Sequence, residues 1–115
     1  MKSLLLRRKA KDMLDTLNRI DQVTGETGHT IARYLCVLAA KHPEAVTFAE
    51  LGDAVGITKS QVSRTARGLH KMYTDGRPGL DLTEIDFDLQ NPRVKLVTLN
   101  ARGLLAMQDM LEGLD

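Results

Sequence analysis

The sequence predicts a mainly α-helical domain that carries one small β-hairpin. Five stretches place apolar residues at helical spacing, and one region near residue 85 switches to a period of two. Clusters rich in Gly and Pro separate these stretches. The 115 residues suit one compact domain, predicted to span 1–115. Apolar residues at 43% and charged residues at 27% are ordinary for a soluble globular protein. With 3% aromatics and no Trp, the core has to be aliphatic.

From Ser3 to about Ile20, apolar residues fall at Leu6, Ala10, Met13, Leu14, Leu17 and Ile20, the spacing of a helix. "TGETGHT" then interrupts as a loop. Thr30 to Lys41 reads as a second helix, so uniformly apolar that it belongs in the centre of the domain. Phe48 to Val55 is a short third helix, with Gly56 placed to end it in a left-handed turn. Thr58 opens a fourth, because Thr58-Lys59-Ser60-Gln61 fits a capping box. That helix is expected to reach about Tyr73, before Asp75-Gly76-Arg77-Pro78-Gly79 breaks it.

Ile85, Phe87 and Leu89 next alternate with Asp86 and Asp88, and Val94 to Leu99 follows as a β-branched run. The turn cluster Gln90-Asn91-Pro92-Arg93 between them predicts a hairpin with its tip near Asn91. Asn100 caps a last helix, Ala101 to Leu114. A short helix joined by a Gly turn to a capped helix is a helix-turn-helix, and the hairpin directly after it makes the arrangement winged.

Net charge is only +1, but it is unevenly distributed. Residues 1–22 hold six bases against three aspartates, and residues 58–77 hold five bases against Asp75 alone. Residues 80–90 carry Asp81, Glu84, Asp86 and Asp88 without a base. The fourth helix presents Ser60, Gln61, Ser63, Arg64 and Arg67 opposite its apolar stripe of Val62, Ala66 and Leu69. These are side chains that read base edges in a duplex major groove, Gln pairing with adenine and Arg with guanine. Arg67 and Lys71 lie further along, where they reach backbone phosphates, and Thr58 and Lys59 flank the helix start. At the hairpin, Arg93 is the expected wing-tip cation, with Lys95 behind it. Asp86 and Asp88 read as the solvent face of a half-buried strand, or as carboxylates that orient Arg93.

Other chemistries find little support. The acidic residues lack a partner His, Lys or further carboxylate cluster for a catalytic metal. His29, His42 and His70 show no ligand spacing, and no phosphate loop or nucleophile motif occurs. No enzymatic activity, metal or cofactor is therefore expected. Cys36, the only cysteine, excludes an intrachain disulfide and reads as a buried thiol, oxidant sensing beside Arg33 being the alternative. Neither a signal-peptide core nor a membrane span is evident, so a cytoplasmic protein without membrane association is expected.

From Thr47 to Gly103, "TFAELGDAVGITKSQVSRTARGL" and then "NPRVKLVTLNARGL", the sequence resembles the MarR-type winged-helix regulators. The resemblance implies a DNA-reading helix from Thr58, with Ser60, Gln61, Ser63 and Arg64 facing the groove and Arg93 at the wing tip. It assigns 46–99 to DNA binding and implies that 1–22 and 100–115 interlock in a homodimer. Leu5, Leu6, Leu17, Leu104, Leu111 and Leu114 agree, since these two helices are more apolar than one small domain needs. Such a dimer spaces two reading helices about 34 Å apart and favours a palindromic site. Asn100 stands where the family's wing usually ends in Thr, the chain is shorter than usual, and its first wing strand is unusually acidic. The compact form, with "DGRPGL" leading into the wing, is similar to small winged-helix proteins of phages and mobile elements. The family often binds aromatic effectors; with so few aromatics here, none is expected, and the effector stays unassigned.

The leading expectation is a homodimeric, sequence-specific, double-stranded-DNA-binding transcriptional regulator that acts as a repressor. A winged-helix protein-interaction module is the competing reading, with the acidic strand and the aliphatic last helix as docking surfaces. Single-stranded nucleic acid is disfavoured, because Phe48, Phe87, Tyr34 and Tyr73 are the whole supply of stacking side chains.

Overall fold

The structure, a computed structural model, describes residues 3–24, 29–70 and 79–112. In chain order these form α1 (Ser3–Thr24), α2 (Thr30–Lys41), β1 (Val46–Thr47), α3 (Phe48–Val55), α4 (Lys59–Leu69), β2 (Thr83–Phe87), β3 (Lys95–Leu99) and α5 (Ala101–Glu112). The mainly helical winged helix-turn-helix is thus the observed architecture. Among the described residues no helix is long and apolar enough to cross a membrane.

α2 is the centre of the domain, with every residue from Arg33 to Ala39 buried. Leu6 and Ala10 of α1, Leu51 and Val55 of α3, Val62, Ala66 and Leu69 of α4, and Met107 and Leu111 of α5 close around it. The stripes recur every three or four residues, so each helix turns one face inward and leaves the rest to solvent. Burial pushes the Cys36 thiol up to about 11 and raises the Tyr34 hydroxyl above its ordinary range. A sensor thiol needs exposure and a depressed pKa. Cys36 has neither.

The three strands form an antiparallel sheet in the order β1-β3-β2. β1 was not expected; two residues are too few to register as a periodic pattern, and it exists because Val46 and Thr47 pair with Val97 and Leu96. The expected inner face of Ile85, Phe87 and Leu89 is displaced. Thr83 and Ile85 pack inward, opposite Leu99 and Val97, whereas Phe87 is 55% exposed and Leu89 99% exposed. The strand ends at Phe87, and the hairpin projects past the edge of the core. Its tip is tied where expected, Val94 N–H donating to the Asn91 carbonyl at 2.9 Å and Asp88 N–H to the Val94 carbonyl at 3.0 Å.

Two helix lengths also differ from expectation. α1 continues to Thr24, and α4 stops at Leu69 rather than near Tyr73, which lies outside the described residues. His70 is extended, at φ −80° and ψ 171°. The carbonyls of Gly68, Leu69 and His70 accept instead from the N–H groups of Leu80, Leu82 and Asp81, so the returning chain replaces further helical turns. Asn100 caps α5 as expected, its Oδ1 accepting from Gly103 N–H at 2.8 Å.

Two measurements test this packing. A Cβ on Gly103 would run into the Leu82 carbonyl oxygen, so Gly103→Ala is expected to cost about 3 kcal/mol in urea unfolding. The Cys36 thiol ionises near 9.0 when unexceptional and near 11 in the fold. Between those values the unfolded chain releases a proton that the folded one keeps, so stability falls as pH rises. Unfolding titrations should show a steeper alkaline loss for the wild type than for Cys36→Ala.

Candidate nucleic-acid interface

α4 starts where the sequence places it. Gly56 takes φ 76°, a left-handed conformation that glycine adopts without penalty, and its N–H donates to the Gly52 carbonyl. Thr58 Oγ1 accepts from Gln61 N–H at 3.2 Å, and Gln61 Oε1 accepts from Thr58 N–H at 2.8 Å. Two otherwise orphaned amides are satisfied reciprocally. The same box opens α3, between Thr47 and Glu50 at 3.1 and 3.2 Å. Its Thr-x-x-Glu signature was present in the sequence.

At 3.6 residues per turn, Ser60 and Arg64 fall opposite the buried stripe of α4. Both are exposed, and among the described residues the Arg64 guanidinium makes no hydrogen bond or ion pair. Arg67 is folded back on its own helix, Nε donating to the Ser63 carbonyl at 3.3 Å and Nη2 to Ser63 Oγ at 3.2 Å. Ser63 and Arg67 are accordingly half-buried and mutually engaged. Gln61 is exposed and, with Arg64, borders a depression beside Thr30, Ile31 and Leu80. A bidentate pair with adenine needs its Oε1 and Nε2 together. Gln61 Oε1 already accepts from Thr58 N–H, which curls the side chain back towards the helix start. Lys71 lies outside the described residues.

On the other flank, a groove of about 420 Å³ separates α4 from the wing. Thr47, Phe48 and Ala49 form one wall, Lys59 and Ser63 the second, and Arg93, Val94 and Lys95 the third. Lys95 Nζ sits 5.6 Å from the centre of the Phe48 ring, a cation–π contact that holds the ammonium at the groove. Phe48 was read only as a stacking side chain in short supply, and no local pattern links it to a lysine 47 residues later. Arg93 is exposed, with its backbone N–H held by Asn91 Oδ1 at 3.3 Å. The groove thus brings three cations and two hydroxyls to one face, a suitable setting for a phosphate backbone.

The remaining expected residues are distributed more widely. Asp86 and Asp88 make no ion pair with Arg93 among the described residues; Asp88 Oδ1 instead accepts from Gln90 N–H at 2.9 Å. Leu6, Leu17 and Leu111 are buried in the chain's own core, and Leu104 packs partly against it. Leu5 is 43% exposed, and Leu114 lies outside the described residues. Further apolar surface on the terminal helices comes from Leu4, Leu105 and Met110.

A capped helix with an exposed polar face beside a hairpin that carries Arg93 and Lys95 defines a winged-helix domain. The chain shares the fold of the MarR-family regulators. It superposes on the S. aureus MepR–DNA complex with a TM-score of 0.58 at 21% identity, covering 92% of this chain and 70% of that one. The zinc-responsive MarR family member ZitR of Lactococcus lactis gives 0.56 at 18% identity, over 85% of this chain and 70% of that one. A MarR-family regulator from Silicibacter pomeroyi gives 0.54 at 24% identity, over 95% and 65% respectively. No family model and no curated protein matches the sequence.

The capping geometry carries its own test. Thr58→Ala is expected to lower stability by about 1 kcal/mol in chemical denaturation, and Thr58→Ser to restore most of it.

Proposed function

We propose that the chain is a homodimeric transcriptional regulator that binds double-stranded DNA sequence-specifically and acts as a repressor in the cytoplasm. The observation that carries the reading is the exposed Ser60–Arg64 face of α4, flanked by the groove of Lys59, Arg93 and Lys95. A helix enters the major groove and is read from its N-terminal side chains, while a basic wing meets flanking phosphates or the minor groove. The superposition on a regulator solved with DNA supports the same use of this fold. Exposed Leu4, Leu5, Leu105 and Met110 on α1 and α5 support pairing of two copies through the terminal helices. A symmetric dimer then sets two reading helices one DNA turn apart. The reading requires no catalytic step and no cofactor.

A second reading follows from Phe87 and Leu89, exposed on the wing beside Asp86. Exposed apolar side chains at the end of the wing, with the acidic face of β2 on its reverse, suit a partner protein better than they suit phosphate. Titration with random duplex and single-stranded oligonucleotides at two salt concentrations separates the two. Undetectable binding to both favours the protein partner.

For a duplex site selected from a random pool, Arg64→Ala is expected to abolish preference over random DNA while the circular dichroism spectrum stays unchanged. Arg93→Ala is expected to weaken selected and random duplexes alike, lowering the slope of log K against log salt by about one. Fluorescence anisotropy measures both. Unchanged affinity of Arg64→Ala for the selected site overturns the assignment of α4.

A further inference from the structure

We infer that α4 reads guanine through Arg64, and that Gln61 reads no base but serves only to hold the helix start. The inference rests on the DNA-binding reading and narrows what that reading recognises. The exposed side of α4 offers Ser60, Gln61, Ser63, Arg64 and Arg67 as candidate base readers, and the structure disposes of them unequally. Gln61 Oε1 is committed to Thr58 N–H at 2.8 Å, the shorter bond of the capping box. Gln61 and Arg64 border the same depression beside Thr30 and Ile31, so what separates them is the cap bond and not their position. Adenine recognition by an amide uses the oxygen and the NH₂ group together, and the bond to Thr58 N–H curls this side chain back onto the helix start. Arg67 spends two of its donors on Ser63, and with them it engages the Ser63 hydroxyl.

That leaves Arg64, exposed opposite the core stripe and without a partner among the described residues. Its rigid fork matches the O6 and N7 acceptors of guanine. Ser60 shares the outward face, but one hydroxyl is both donor and acceptor and accepts several bases. Each half-site is therefore discriminated chiefly at one guanine, by about 10- to 100-fold over other bases at that position. The groove of Lys59, Arg93 and Lys95 supplies affinity without sequence preference.

The test is selection from a random duplex pool by the full-length wild type, Gln61→Glu and Arg64→Ala. Glutamate keeps the acceptor for Thr58 N–H, so the thermal unfolding curve should be retained, but it cannot donate to adenine N7. A side chain that faced the bases would then favour cytosine, whose N4 amino group donates. The expected result is a guanine-containing motif common to the wild type and Gln61→Glu, with a lower yield from the added negative charge. Arg64→Ala should lose the guanine preference. An adenine that becomes cytosine in Gln61→Glu, or a guanine preference that survives Arg64→Ala, overturns this inference while leaving DNA binding intact. Failure of the wild type to enrich any duplex overturns the DNA-binding reading, and this inference with it.

Discussion

The position of the wing relative to α4 depends on how the end of that helix satisfies its own carbonyls. A helix leaves its last four carbonyls without intrahelical donors, and a buried one without any donor is costly. Here Leu80, Leu82 and Asp81 supply N–H groups to Gly68, Leu69 and His70 at 3.0, 2.8 and 3.2 Å. Leu82 then accepts from Asn100 N–H through its own carbonyl, at 3.1 Å. Asn100 Nδ2 closes the junction by donating to the Asp81 carbonyl and to Asp81 Oδ1. These bonds help hold Asp81 at φ 54°, a left-handed conformation that non-glycine residues seldom take. One backbone junction thereby sets the end of α4, the approach to β2 and the start of α5. The wing cannot turn away from α4 without breaking it.

A second connection reaches the other end of α4. Arg33 is buried in α2, and its Nη1 donates to the Val55 carbonyl at 2.6 Å and to Asn18 Oδ1 of α1 at 3.4 Å. Val55 is the last residue of α3, so the guanidinium meets the negative end of a helix dipole. A buried cation is expensive unless it is well hydrogen-bonded, and a charge-assisted bond to a helix-terminal carbonyl offsets part of that cost. The result ties α1 and α2 to the turn that immediately precedes Thr58. Contacts made by α1 and the geometry at the start of α4 belong to one connected body.

What was legible in the sequence divides along the same line, between local and distant interactions. Gly56, the Thr58–Gln61 box, the Asn100 cap and the bounds of α2 and α3 are local rules acting within four or five residues, and each is found as expected. The early end of α4 was not legible, because its carbonyls are satisfied by residues ten or more positions away. The hairpin pattern at Ile85, Phe87 and Leu89 is periodic, but periodicity does not reveal where the core beneath it ends. The polar residues of α4 were identified by type alone. Which of them the fold occupies, as with Gln61 and Arg67, is a matter of three-dimensional hydrogen bonding that spacing does not encode.

The pairing of β2 with β3 also explains how a chain of net charge +1 can present a basic surface. Residues directly opposite in an antiparallel pair share a face, and neighbours along a strand alternate. Phe87 faces Lys95, Ile85 faces Val97, and Thr83 faces Leu99, so Lys95 lies on the side that carries the core and the groove. Glu84 and Asp86 stand opposite Thr98 and Leu96, on the reverse side. The period of two thus sorts the hairpin's charges onto two faces although they are mixed along the chain. On the proposed DNA-binding reading, a phosphate backbone is repelled by the reverse face and attracted by the groove, so the acidic residues favour one orientation of the wing instead of cancelling its attraction. Moving the register by one residue would exchange the faces and place Glu84 and Asp86 against the groove. The buried pairs Ile85–Val97 and Thr83–Leu99 prevent that slip, and so the aliphatic core determines the charge pattern that the wing offers.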